Sequence, residues 1–426
     1  MLPIGFWICG FLDLKFLGGA GEVGRAGILL DGRKRILLDY GIKLDHKTEY
    51  PHPAGKVDAF ILSHAHLDHS GYAPTLYNAA FPVAHGTAPT RELSELLIED
   101  SIKINRSQRS GQHFFRRELK SFLNKYVSHG FGTEFPIGEY KVSLHDAGHI
   151  SGSAITVIEN PEGRRLMYTG DFKSEHQLLQ HGAEDVKCDI LITEATYALR
   201  EHPDREELVA KFVHGVQEVI GAGGVVLLPV FAVGRAQEML ALLESNGLAE
   251  IAYIDGMARA ATEIVMRHPK FIDNSDLLRS AIGSVGWVDS QKDRSKALAG
   301  GSIILTTAGM LSGGPVLNYI MKLPAASKIF LTGYQAERTN GRKLMEGNPL
   351  EIDGRRVRIS TPWEFYDFSA HAGKSDLYNY IKRSDPETVI CVHGDSESAS
   401  SLADGLRLEG FDAHAPKIGD SISVEF

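Results

Sequence analysis

The sequence predicts an α/β protein of two domains, and three observations carry that prediction. Short apolar runs of strand-like composition alternate with helix-spaced amphipathic stretches along the chain. A polar connector, Arg200-Glu201-His202-Pro203-Asp204-Arg205-Glu206-Glu207, separates one such series from a second. At 426 residues the chain is long enough for two cores of ordinary size.

Composition narrows the class. The chain is 43% hydrophobic and 23% charged, as soluble globular proteins are. A net charge of −9 argues against a general nucleic-acid coat protein. It leaves room for a nucleic-acid enzyme, because a local basic surface coexists with an acidic exterior and metal ions supply positive charge at a site. Cys9, Cys188 and Cys391 are far apart and odd in number, which fits a reducing cytoplasm and no disulfide framework. The apolar start, Met1 to Leu12, lacks a basic leader, and Asp13 and Lys15 interrupt it well short of a membrane span; no membrane partner is expected.

The elements follow in order. Leu14 to Leu17 reads as a first strand, and Gly18-Gly19-Ala20-Gly21-Glu22-Val23-Gly24 follows it. This contains the GxGxxG spacing of a dinucleotide fingerprint, with Asp39 at the right distance for a ribose acid. A glycine loop of that kind must open a helix. Here Ala26 to Leu30, an Asp31-Gly32 turn and Arg35 to Leu38 read as a hairpin instead, so nicotinamide binding is rejected. Asp39 ends a strand beside the next feature, where a carboxylate can accept a hydrogen bond from a ligand imidazole and fix its tautomer.

That feature is Ile61-Leu62-Ser63-His64-Ala65-His66-Leu67-Asp68-His69-Ser70-Gly71, on the loop leaving the apolar run Asp58 to Leu62. Three histidines and one aspartate fall within six residues, and imidazole and carboxylate are ligands for zinc and similar divalent ions. Side chains on a short loop diverge, so His64 and His66 can serve one ion while Asp68 and His69 face a second.

Residues 72 to 128 read mainly as packing helices, Arg91 to Ile104 and Phe114 to Tyr126, with no chemistry assigned. Strand Lys141 to Leu144 leads to His149, set between Gly148 and Gly152. Strand Arg165 to Thr169 leads to Asp171, whose two oxygens can bridge two ions. Strand Asp189 to Thr193 ends in Glu194-Ala195-Thr196-Tyr197. Beyond the connector come strand Gly224 to Val230, helix Gly234 to Glu244, strand Ile251 to Ile254, a helix from Ala258, and strands Ser302 to Thr306 and Lys328 to Leu331. The glycine-rich turns at their carboxyl ends, Ala308 to Pro315 and Thr332 to Gln335, suit a phosphodiester chain. Arg235, Ser312 and the Ser369-Ala370 segment are the candidates for contacts to its phosphates. Near the end, Ser369-Ala370-His371 precedes helix Lys374 to Lys382, and strand Val389 to Val392 ends in His393-Gly394.

These residues resemble the β-CASP branch of the metallo-β-lactamase superfamily, which includes the endonuclease of the eukaryotic cleavage and polyadenylation specificity factor, its archaeal relatives, and ribonuclease J. The motifs occur in the family's order: Asp39; His64-Ala65-His66-Leu67-Asp68-His69; His149; Asp171; Glu194 for motif A; His371 for motif B; His393 for motif C. Histidine at motif C favours RNA over DNA. Ala198 stands where motif A usually continues with glycine, and the family's archaeal members often carry N-terminal KH domains for which this length leaves no room.

The resemblance implies a four-layered αββα metallo-β-lactamase fold over residues 1–198 and 361–426, with an inserted α/β β-CASP domain over 199–360. It implies that His64, His66 and His149 hold one zinc, that Asp68, His69 and His393 hold the other, and that Asp171 bridges them, with manganese as a substitute metal. Asp68, Glu194 and His371 are the implied catalytic residues: water activated between the ions attacks phosphorus, and His371, oriented by Glu194, acts as general acid. The implied function is a ribonuclease of RNA processing or decay, favoured as an endonuclease, acting as a homodimer or within a processing complex. The alternatives are a 5′→3′ exoribonuclease of the ribonuclease J type and, from another class, a catalytically inactive RNA-binding subunit.

Overall fold

Strand Phe11–Gly18 shows how the sequence makes this fold, because its side chains alternate with period two. Leu12, Leu14 and Phe16 are buried, whereas Asp13 and Lys15 lie on the opposite face. In the computed structural model, which describes residues 10–44, 48–108 and 113–426, this strand pairs antiparallel with Gly27–Asp31 and with the C-terminal strand Ser421–Glu425. Cys9 and most of the apolar start lie outside the described residues.

The chain divides into two compact units, one of residues 1–176, 182–201 and 371–426, the other of 177–181 and 202–370. The first unit holds two seven-stranded sheets. One runs in spatial order Ser421–Glu425, Phe11–Gly18, Gly27–Asp31, Arg35–Leu38, Ala59–Ile61, Val83–Gly86, Tyr126–Ser128. The other runs Asp412–His414, Thr388–Val392, Ile190–Glu194, Arg165–Tyr168, Ala154–Glu159, Tyr140–Asp146, Phe135–Ile137. Each sheet is antiparallel in one half and parallel in the other.

Apolar side chains from both sheets share one core: Leu14, Phe16 and Leu38 from the first pack with Val142, Ile158 and Ile192 from the second. The outer face of the first sheet is covered by helices Ala88–Gln108 and Arg116–Asn124, through Ile98, Ile102 and Phe122. The outer face of the second is covered by Lys374–Ser384 and Ser396–Leu408, through Leu377, Tyr380 and Leu402. Helix, sheet, sheet, helix is the four-layered αββα fold.

The second unit contains a six-stranded sheet, all parallel, in the order Gly286–Trp287, Ala252–Asp255, Ser302–Thr306, Val225–Pro229, Lys328–Leu331, Trp363–Phe365. Its central strand Val-Val-Leu-Leu-Pro is buried throughout, as a sheet covered on both faces requires. The helix expected to reach Tyr126 stops at Asn124. Tyr126 instead begins an edge strand on Val83–Gly86, because tertiary pairing overrides the helical spacing of the preceding turn. Among the described residues no helix is long and apolar enough to cross a membrane.

Candidate metal centre

The parallel halves of the two sheets deliver the predicted residues to one place. Asp39 follows Arg35–Leu38 and His64 follows Ala59–Ile61. In the other sheet Asp171 follows Arg165–Tyr168, Glu194 ends Ile190–Glu194, and His393 follows Thr388–Val392. The histidine-rich loop closes with a four-residue helix, Leu67–Ser70, so His64 and His66 precede it while Asp68 and His69 lie within it. Backbone bonds clamp this loop to the segment after Asp39: Tyr40 N–H donates to His69 O at 2.8 Å and Ile42 N–H to Leu67 O at 2.9 Å. Gly41 makes the clamp possible, since a Cβ there would sit 1.7 Å from the Asp68 carbonyl oxygen.

Two groups of ligand atoms result, sharing Asp171. In the first, His64 Nε2 lies 3.1 Å and His149 Nε2 lies 3.2 Å from His66 Nδ1. Asp171 Oδ2 is 3.6 Å from His64 Nε2 and 3.9 Å from His149 Nε2. In the second, Asp171 Oδ1 is 3.2 Å from His69 Nε2 and 3.0 Å from His393 Nδ1, and Asp68 Oδ2 is 3.5 Å from His393 Nε2. Nitrogens bound tetrahedrally at about 2.0–2.1 Å sit about 3.3 Å from one another, so these spacings fit a divalent ion. A second observation agrees: His69 Nε2, Asp171 Oδ1 and His393 Nδ1 are buried without a hydrogen-bond partner. Polar atoms crowded together inside a protein without a well-formed hydrogen bond are costly unless a proton or a cation is shared among them, and a divalent ion fills that role here.

Electrostatics follow from this crowding. Burial drives His64 well below the ordinary imidazole range, and its histidine neighbours push the same way. Burial opposes charge on His69 too, but Asp171 and Asp39 outweigh it and raise the pKa. His393 is pushed up to about 10, because Asp171 and Asp68 overcome the cost of burial. Burial also opposes the charges of Asp68 and Asp171, yet His393 and His69 hold both carboxyls below the usual range.

Asp39 is the hub beneath the ligands. Its carboxylate accepts from Ser63 N–H at 2.7 Å, Ser63 Oγ at 2.7 Å and Tyr168 Oη at 2.8 Å, and pairs with His69 Nδ1 at 2.7 Å. The proton thus held on Nδ1 leaves Nε2 of His69 as the ligand lone pair. Asp39 adopts a left-handed backbone with φ of 53°, a conformation asparagine also tolerates. Asp39→Asn therefore keeps the backbone and removes only the charged acceptor. Zinc affinity is expected to fall about 10–100-fold, as for other lost partners of ligand histidines, measured by competition with a chelating dye.

Beside the ligands stands a histidine–glutamate pair. Buried Glu194 accepts from Phe172 N–H at 2.7 Å through Oε1 and meets His371 Nδ1 at 2.8 Å through Oε2. The His371 ring lies 4.7 Å from that of His149, and its side chain is 22% exposed, enough for proton exchange with water. Burial opposes its charge, but Glu194 and Asp171 outweigh that and raise its pKa.

Three contributors gave little sign in the sequence. Ser63 bonds Asp39 and also lies 3.1 Å from His64 Nδ1. Tyr168 reaches Asp39 from the other sheet. The glycine loop rejected as a nucleotide site holds His393 instead: Gly19 O accepts its N–H at 2.6 Å and Gly24 N–H lies 3.3 Å from its Nε2. Ala198, the departure at motif A, is buried in the turn that its N–H closes on Ala195 O at 3.3 Å. The candidate phosphate contacts belong to the second unit: Arg235 opens helix Arg235–Ser245 and is buried, Ser312 is exposed, and Ser369 and Ala370 are half-buried.

Comparison with known proteins finds relatives along almost the whole chain. A family model described as the Beta-Casp domain matches residues 236–344, and one described as the Zn-dependent metallo-hydrolase RNA specificity domain matches residues 356–416. The chain is 34% identical to a probable RNase, MJ4, of Methanocaldococcus jannaschii, over 97% of this chain and 100% of that one. It is 36% identical to the RNase aCSPSF2 of Saccharolobus solfataricus, over 96% of this chain and 85% of that one. The transcription termination factor FttA of Methanocaldococcus jannaschii is 34% identical over 94% of this chain and 69% of its own length. Among solved structures, a protein of unknown function from Enterococcus faecalis V583 superposes with a TM-score of 0.62 at 15% identity, covering 97% of this chain and all of that one, a likeness of fold.

Proposed function

This chain belongs to the β-CASP ribonucleases of the metallo-β-lactamase superfamily, and on that premise we propose that it cuts RNA internally, at a centre of two zinc ions for which manganese can substitute. One observation carries the reading: ligand atoms converge in two groups that share Asp171, with the Glu194–His371 pair alongside. His64, His66 and His149 would hold one ion, Asp68, His69 and His393 the other, and Asp171 would bridge them. Bound there, the ions supply the polarisation that makes water a nucleophile near neutral pH and the positive charge that offsets the phosphoryl oxygens.

The chain's own groups do the rest. Asp39 fixes the tautomer of His69. Asp68 is a half-buried carboxylate of the histidine-rich loop and stays ionised, so it can accept a hydrogen bond from the attacking water and orient it. Glu194 keeps the Nδ1 proton of His371 in place, which leaves Nε2 to carry the proton delivered to the departing oxygen.

The test is a time course on 5′-labelled, 5′-monophosphorylated RNA with zinc or manganese, resolved on a sequencing gel. Discrete internal fragments are expected. Immediate release of labelled mononucleotide would replace the endonuclease reading by a 5′→3′ exonuclease, and no cleavage by metal-loaded protein would leave an RNA-binding subunit.

A further inference from the structure

One surface of the first unit stands out against the chain's charge. Residues 103–125 carry seven lysines and arginines against one glutamate, in a protein whose net charge is −9. Lys103 and Arg106 are exposed at the end of helix Ala88–Gln108. Arg116 and Arg117 are exposed at the start of helix Arg116–Asn124, with side-chain exposures of 56% and 87%; Arg116 lies 3.8 Å from Glu99 and Arg117 pairs with Glu118 at 2.7 Å, surface pairs that a phosphate can displace. Aromatic rings lie among them: His113 is exposed and Phe115 is 53% exposed.

The second observation is a column of rings that begins beneath the histidine-rich loop. Tyr40, next to Asp39, is buried and lies 5.1 Å from Tyr72, which comes three residues after His69. Tyr72 lies 4.7 Å from Tyr50, and Tyr50 stacks on His113 at 4.1 Å with the planes 29° apart. Tyr72 Oη and His113 Nδ1 are 2.8 Å apart, which sets the tilt of the last ring. Tyr50, Gly71, Asn105 and His113 border one shallow, open recess. The column therefore leads from the loop carrying Asp68 and His69 to an exposed, nearly parallel ring at the basic surface.

We propose that this surface binds single-stranded RNA on its way to or from the metal centre: an unpaired base extends the column on His113, and Lys103, Arg106, Arg116 and Arg117 hold the flanking phosphates. Stacking platforms combined with cations are the general means of holding single strands without reading sequence. A double helix keeps its bases paired and offers none to His113, so the surface discriminates against duplex. The proposal rests on the ribonuclease reading for its ligand but uses none of the catalytic residues.

The test uses the full chain and a phosphorothioate-linked single-stranded RNA that resists cleavage, with binding read by fluorescence anisotropy across a salt series. The four-fold variant Lys103→Ala, Arg106→Ala, Arg116→Ala, Arg117→Ala should lose about tenfold or more in affinity at low salt. Its slope of log affinity against log salt should fall by about 0.7 for each phosphate contact removed. Tyr50→Leu with His113→Ala should also lose about tenfold, as one stacked base would, with the salt slope kept and with little further loss when one nucleotide of the RNA is abasic. Hydrolysis of bis(p-nitrophenyl) phosphate, too small to span the surface, should stay at the wild-type rate in both variants and so reports separately on the catalytic reading. Wild-type RNA affinity in both variants, or equal loss for duplex and single strand, overturns the proposal.

Discussion

Asp171→Asn is expected to abolish metal binding and to cost ribonuclease activity on the order of a thousandfold or more. Asp171 is 2% exposed and stands within 4 Å of four histidine nitrogens. An asparagine keeps the volume but loses the charge and turns one oxygen into an N–H₂ group facing imidazole lone pairs. Both ligand groups lose their shared member. Zinc content by mass spectrometry should fall toward zero, and the melting temperature should cease to rise with added zinc. In the wild type that rise reflects about 4.1 kcal/mol at a metal concentration 1,000 times Kd. The sign of the pH dependence follows from the same charges. His69 and His393 hold protons more tightly than ordinary histidines in the metal-free protein, so zinc must displace them. Zinc affinity should therefore climb with pH, with protons released on binding, in wild type. The asparagine variant, having lost the charge that retains those protons, should show a shallower dependence in whatever binding remains. A variant that keeps two ions and wild-type activity would remove Asp171 from the centre.

How much of this is legible in the sequence depends on how local each feature is. The histidine-rich loop can be read directly, because four ligands crowd one short stretch after an apolar run, and the structure brings all four into the ligand groups. His149, Asp171 and His393 are solitary residues, and only their order along the chain ties them to that loop. The supporting atoms are not legible. Ser63 is an unremarkable serine until Asp39, 24 positions earlier, takes both its N–H and its hydroxyl. Tyr168 looks like any strand tyrosine until the two sheets face each other. The glycine loop is correctly excluded as a nucleotide site, since Gly27–Asp31 continues as strand, but its hold on His393 spans 369 positions and no periodicity reports such a contact. The pairing of Phe11–Gly18 with Ser421–Glu425 is hidden for the same reason. The basic stretch at 103–125 reads as solvated helix faces, and only the ring column gives it a direction. Local pattern specifies the elements, whereas the partners of a polar atom are set by packing.

His371→Ala is the sharper test of mechanism, because it separates chemistry from metal binding. His371 pairs with Glu194, itself held by Phe172 N–H, and is not one of the seven proposed ligands, so truncation should leave those ligands in place. RNA cleavage is expected to fall about 10²–10⁴-fold, the usual range for a lost general acid, while zinc content and RNA affinity stay near wild type. The pH profile supplies a check that a merely structural role would not move. The pKa of His371 is raised above the ordinary imidazole value, so its acid form persists through neutral pH and is lost as pH rises past that shifted value. Wild-type cleavage should thus decline on the alkaline side, and the alanine variant should lack that limb. Glu194→Gln should act in the intermediate way expected of a positioning residue. It keeps a hydrogen bond to the imidazole but removes the charge that raises the pKa, so the alkaline limb should move to lower pH while the limiting rate changes less than in His371→Ala. A leaving group that needs no proton should mask both defects: RNA in which sulfur replaces the departing bridging oxygen, identified from whether the products carry 5′- or 3′-phosphate, should be cut by His371→Ala at a rate close to wild type, because the sulfur leaves as thiolate. Equal impairment on both substrates would assign His371 to holding the site together instead of to proton transfer.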